Sequence, residues 1–154
     1  MNGALLINQM ACGAIAAAGF GVLFNAGSRV LPWCAASGAL ALAVRSSCLA
    51  WGLNLEGASF AAAITVGAAV QLLRRYIDIS QDVLDAVGCI PMVPGSFAAK
   101  AIIGLFVVST SAVVNESETL ITAAQYTLRV VFTIGAIGTG LAIPTLLLRM
   151  RAAR

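Results

Sequence analysis

The chain has 154 residues, 60% of them hydrophobic and only 10% charged, and a mean hydropathy of +0.98. A soluble globule keeps about a quarter of its residues charged, so this composition excludes one and points to an integral membrane protein. Nine basic and six acidic residues leave a net charge of +3. The basic ones gather at the ends of apolar runs, where they act as topology signals and not as a nucleic-acid-binding surface.

The first apolar run, Ala4 to Asn25, is long enough at 1.5 Å per residue to cross a hydrocarbon core of about 30 Å. It has no basic leader and is too long for a cleaved signal peptide, so a span is the better reading. Gly13, Ala17 and Gly21 recur every four residues, a small-residue stripe that predicts a helix packing face. The second run goes from Val30 to about Gly52, with Pro32 in its first turn, where proline is tolerated, and Arg45 inside it. The third run, Gly57 to Ile77, ends in Arg74-Arg75, and its face Ser59, Ala63, Gly67 and Gln71 is small and mildly polar, which predicts that it looks inward.

Between Asp78 and Val87 the residues Val83, Leu84 and Val87 keep helical spacing against Asp78, Asp82 and Asp85. The pattern predicts a short interfacial helix capped by Ser80. Next comes Gly88-Cys89-Ile90-Pro91-Met92-Val93-Pro94-Gly95, the one place where an apolar run is broken twice. Two prolines and a glycine cannot continue a regular helix, and Ser96 is placed to cap a new one running from Phe97 to Val114. After the acidic turn Asn115-Glu116-Ser117-Glu118 the last run, Thr119 to Leu148, has about 30 residues, roughly 45 Å of helix, so it must tilt, kink at Pro144 or protrude.

The expected fold is therefore all-α, a polytopic bundle of five transmembrane helices forming a single domain over residues 1–154, with the proline-broken segment before the fourth. An outer N-terminus puts Arg29, Arg74, Arg75, Arg149, Arg151 and Arg154 on the cytoplasmic side and turns the loops holding Glu56 and Glu116 to Glu118 outward. An odd number of crossings cannot hold a complete inverted repeat, and with the Gly13 face it implies a second five-helix unit if the chain is a transporter.

Catalysis lacks its parts: there is no histidine, no carboxylate pair within a span and no nucleophile beside a base. Cys12, Cys34, Cys48 and Cys89 stand singly, without metal-ligand spacing, and read as small buried apolar residues; neither a metal nor a cofactor is expected. Two classes remain: a transporter subunit for small carboxylates, and a non-transporting membrane scaffold whose charges only orient and pair helices. Basic residues within the spans, with no acidic one among them, favour the transporter.

Phe24-Asn25, then Gly52-Leu53-Asn54-Leu55-Glu56 with Phe60, and above all Ile90-Pro91-Met92-Val93-Pro94-Gly95 resemble the threonine/serine exporter family, from about Gly19 to Pro144. The resemblance is closer to its small single-half members of the YjjB type. It implies a bacterial inner-membrane exporter that works beside a YjjP-type subunit on succinate, while fused relatives carry threonine and serine; a homo-oligomer is the other assembly open. The arginine at position 45 also fits the YjjB pattern.

A dicarboxylate drawn to membrane depth needs compensating donors or cations. The first-turn amides after Pro94-Gly95-Ser96 are one source, as helix N-termini hold anions elsewhere, and Arg45 with its two-pronged guanidinium is another. Candidate substrate-binding residues are thus Arg45, Pro91, Pro94, Gly95, Ser96 and Lys100. Each has a plainer alternative. Arg45 could pair structurally, or snorkel from roughly 10 Å below the outer end of its helix; Lys100 could snorkel to the cytoplasmic interface; the prolines could only shape a turn. Arg129 reads as a marker of the outer interface.

Overall fold

A computed structural model describes residues 3–73, 81–110 and 116–152. All the elements in it are helical: α1 (Gly3–Leu23), α2 (Leu31–Ala50), α3 (Leu55–Leu73), α4 (Gln81–Cys89), a 3-10 turn (Ile90–Met92), α5 (Gly95–Thr110) and α6 (Glu116–Ala152). By length and composition α1, α2, α3 and the Glu118–Leu147 stretch of α6 can each cross a membrane, and Val83–Met92 with Gly95–Thr110 make a fifth if counted as one broken span. The chain is an all-α, multi-pass membrane protein. Arg74, Arg75, Ser80, the predicted end of the fourth run, Asn115 and Arg154 lie outside the described residues.

The helix ends follow from local chemistry. α1 stops where Ala26 N–H bonds back to Gly21 O at 2.8 Å and Asn25 N–H to Val22 O at 2.9 Å, with Asn25 at φ 56°. Asparagine tolerates that left-handed conformation, as glycine does. α2 closes the same way, with Leu53 N–H on Cys48 O and Gly52 at φ 87°. Pro32 sits in the first turn of α2, and the Asn54 carbonyl accepts the first bond of α3 from Ala58.

The chain forms two compact units, residues 1–92 with 136–154, and residues 93–135. In the first unit the buried residues of α1 are Gly13, Ala17 and Gly21. They are filled by α2: a Cβ on Gly13 would come within 2.7 Å of Gly38 O, and one on Gly38 within 2.4 Å of Ala17 Cβ. The stripe is consumed inside the chain, so it does not offer the face for a second five-helix unit that the sequence suggested. The inward face of α3 is as expected, since Ser59, Ala63, Gly67 and Gln71 are all buried. The second half of α6 runs along it in parallel, with Gly140 against Ala63 and Phe60 O, Leu141 and Pro144 against Gly67, and Gln71 Nε2 donating to Thr145 Oγ1 at 3.3 Å.

The short helix that the sequence reading set at the interface is α4, and it is packed against the bundle. α4 packs against α1, α2 and α3, with Leu84, Val87, Gly88 and Cys89 buried. Gly88 permits it, because a Cβ there would meet Ser37 Oγ at 2.8 Å and Val66 Cγ1 at 3.1 Å. Half-buried Asp85 lies one turn before Cys89, with one carboxylate oxygen buried. If Val83–Met92 and Gly95–Thr110 are counted as one broken span, Asp85 lies within a span beside the basic residues that the sequence reading placed there. The cysteines divide: Cys34, Cys48 and Cys89 are buried, whereas Cys12 is exposed.

In the second unit α5 and the first half of α6 form an antiparallel hairpin. Gly104 lies against Ala123, where a Cβ would come within 2.8 Å of the alanine methyl, and Phe97 lies against Tyr126. The acidic residues Glu116 and Glu118 belong to the first turn of α6 and not to a preceding loop, a placement the positive end of the helix dipole favours.

Candidate functional site

In the first unit the proline break is a single 3-10 turn seated in the bundle. Met92 is fully buried and is among the largest fully buried side chains in the described structure. The turn touches α1, α2 and α4. Arg45 reaches it from α2 across 47 positions of sequence: its Nη1 donates to the Met92 carbonyl at 2.9 Å. A buried carbonyl left without a donor costs roughly 1–3 kcal/mol, and a hydrogen bond to a charged group contributes about 1.5–3 kcal/mol, so this contact is among the stronger polar ones available to the turn. The cation also lies at the carbonyl end of the α4 run, where the helix dipole welcomes positive charge. Partial burial of a charge within a span and structural pairing thus coincide at Arg45, with Pro91 in the turn it holds.

The remaining sequence-predicted residues belong to the second unit. Pro94, not Ser96, occupies the cap of α5: its carbonyl accepts from Phe97 N–H and Ala98 N–H, both at 3.1 Å. Gly95 N–H donates to Val93 O at 2.8 Å. Ser96 lies exposed inside the first turn. The reason is that Pro94, with its fixed φ and no N–H to satisfy, fits just before a helix as well as serine does. Consequently the amides of Gly95 and Phe97, which an anion would have used, already donate within the chain.

Lys100 and Arg129 come together. Phe97 and Tyr126 stack with centroids 5.7 Å apart at 25°, Lys100 Nζ lies 5.6 Å from the Tyr126 centroid, and the Arg129 guanidinium lies 5.2 Å from that of Phe97. Two cations thus flank a stacked ring pair, each at cation–π distance. Arg129 sits level with the first turn of α5, on the same cluster as Lys100, so within this hairpin the two do not mark opposite ends. Sequence reasoning missed Phe97, Tyr126 and this role of Arg129. The signal was spacing, since an antiparallel hairpin that pairs 97 with 129 also pairs 100 with 126.

Two clefts open beside Tyr126. One of about 290 Å³ is lined by Lys100, Glu118, Thr119, Thr122 and Tyr126, and one of about 330 Å³ by Gln125, Tyr126, Leu128 and Arg129. The first offers a cation, a carboxylate and hydroxyls in a space suited to a small solute; Glu118, which the sequence reading treated as a topology signal, lies in it. Among the described residues no group of three or more His, Cys, Asp or Glu side chains is placed to hold a metal ion.

No solved structure matches the chain. The sequence model of one family, described as "Threonine/Serine exporter, ThrE", matches residues 9–147, which takes in α2 to α5 entire, most of α1 and α6, the proline break and the ring cluster. The match spans well over half the chain, and the protein belongs to the threonine/serine exporter family, a family of transporters and not of enzymes.

Proposed function

We propose that the chain is one subunit of an inner-membrane exporter of small carboxylates, succinate or another C4 dicarboxylate first among them, working with a second five-helix subunit of the YjjP type or as a homo-oligomer. The orientation that goes with this reading has the N-terminus periplasmic and the C-terminus cytoplasmic. Residues assigned to transport are Arg45 and Pro91 in the first unit and Pro94, Gly95, Ser96 and Lys100 in the second. The observation that carries the reading is a half-buried arginine seated on an interrupted helix in a bundle of a transporter family. Charged groups and broken helices inside membrane bundles mark solute pathways, because each is costly unless it serves one.

A second reading, amino acid export, is supported by one specific observation: Lys100 and Glu118 line the same cleft. A zwitterion would meet Lys100 with its carboxylate and Glu118 with its ammonium, whereas the second carboxylate of succinate would be repelled by Glu118. The test is transport of labelled succinate and labelled threonine in vesicles holding the chain with and without its partner subunit. Movement of succinate alone supports the first reading, movement of threonine alone the second, and movement of neither removes both.

A further inference from the structure

The break at Pro91 and Pro94 leaves the Met92 carbonyl without its helical donors. In a continuing helix the N–H of Ser96 would serve it, or that of Gly95 in a tighter turn, but the chain restarts as α5 from Pro94 and Gly95 N–H turns to Val93 O. Water is not an easy substitute, since Met92 is completely buried in a bundle of apolar helices. Arg45 supplies the missing donor from another helix. Its side chain thereby connects two elements that the sequence leaves independent, the last third of α2 and the turn that ends the α4 run. Cys89 sits immediately before that turn and is 4% exposed.

We propose that Arg45 is a positioning residue, which holds the proline-broken turn closed through the Met92 carbonyl and does not itself bind the transported carboxylate. The fork geometry of the guanidinium is then not its essential property. What matters is a charged donor that reaches one backbone oxygen. Lysine keeps that function and methionine removes it, while a two-pronged clasp on a carboxylate would be lost with either.

Cys89 reports on the turn. In a chain whose Cys12, Cys34 and Cys48 are replaced by alanine, the rate at which N-ethylmaleimide labels Cys89 in membranes measures opening of the turn. Arg45→Met is expected to raise that rate about tenfold, and Arg45→Lys to keep it within about threefold of the parent. Transport should follow the same order, with Arg45→Lys lowering the maximal rate modestly and leaving the KM for the solute unchanged. Equal protection of Cys89 in the parent and in Arg45→Met would overturn the proposal. So would an Arg45→Lys chain whose Cys89 stays protected while its KM rises about tenfold, because that is the behaviour of a direct ligand. Should Arg45→Met fail to reach the membrane, Arg45→Lys and Arg45→Gln decide by the same two readouts. The transport arm rests on the exporter reading and the labelling arm does not, so a parent that moves neither succinate nor threonine counts against that reading alone.

Discussion

In the first unit helices meet backbone to backbone. Gly13 faces Gly38, Gly140 faces Ala63 and Phe60 O, and α3 buries eight of its residues, all of them small or of moderate size. In the second unit α5 buries only Ala101, while Ile102, Ile103 and Phe106 are 68%, 62% and 65% exposed, and the hairpin is joined by one glycine contact and a stack of two rings between two cations. The difference teaches where the chain spends its own surface. Small residues let backbones approach until van der Waals contact and weak polar contacts suffice, which matters in lipid because burying apolar groups there gains nothing from water. The first unit has closed its small-residue faces this way, although Ile7, Ile15 and Leu23 of α1 stay exposed. The second has almost no such face, and the apolar flanks of α5 are left exposed.

The largest effect should come from adding a methyl group where two backbones touch. Gly38→Ala places a Cβ 2.4 Å from Ala17 Cβ and 2.5 Å from Gly13 O, and a carbonyl in a helix cannot step aside. Overpacking costs about 1–3 kcal/mol, and with backbone in the way we expect the upper part of that range and a several-fold drop in folded protein recovered from membranes. Gly140→Ala follows at about 2 kcal/mol, since its Cβ would lie 2.8 Å from Ala63 Cβ and 2.9 Å from Phe60 O. Normal folded yield of Gly38→Ala would show that α1 and α2 are not held at this distance.

In the second unit the same substitution should be milder. A Cβ at Gly104 meets the Ala123 methyl at 2.8 Å, but the next atom is 3.6 Å away, so a small shift of one arm relieves it at about 1 kcal/mol. Ala123→Gly in the same chain should restore the parent stability, read as the unfolding midpoint in a mixed-micelle denaturant titration. If Gly104→Ala proved as damaging as Gly38→Ala, the contrast between the units would fail.

The first unit was the more legible in the sequence for the same reason that it is the more tightly packed. Four-residue spacing of Gly13, Ala17 and Gly21, or of Ser59, Ala63, Gly67 and Gln71, is a local pattern that fixes a face whichever helix covers it. It could not say what does, and the first stripe is spent on α2 rather than on a partner. The packing of α4 was not legible, because Val83, Leu84 and Val87 at helical spacing look the same whether that face meets lipid headgroups or other helices; Gly88 against Ser37 decides it, and a contact is not a sequence property. Ser96 was assigned the cap because serine usually takes it, yet Pro94 two positions earlier had the stronger constraint. Lys100 and Arg129 lie 29 positions apart, and only the register of the hairpin brings them to the same pair of rings. Arg45 stood out as a charge within a span, but its acceptor, a backbone oxygen, leaves no trace in side-chain chemistry.

The smallest effects on stability belong to the charged rim of the second unit, and there stability and transport should part. Lys100 is exposed, and a cation over a ring at such a site contributes about 0.5–1 kcal/mol, so Lys100→Gln should unfold at nearly the parent midpoint. Glu118 is exposed as well, and Glu118→Gln should be as mild. Transport is where they separate the two substrate readings. If the cleft beside Tyr126 takes a zwitterion, each substitution removes a charged partner of the solute and should lower threonine transport about tenfold or more, the loss usual for a charge-assisted hydrogen bond. For a dicarboxylate the signs differ: Lys100→Gln removes a favourable cation, whereas Glu118→Gln removes a repulsion and should leave succinate transport unchanged or raise it. A chain in which Lys100→Gln and Glu118→Gln both carry succinate and threonine at the parent rate would place the solute elsewhere, and the two cations on Phe97 and Tyr126 would then serve only to join the arms of the hairpin.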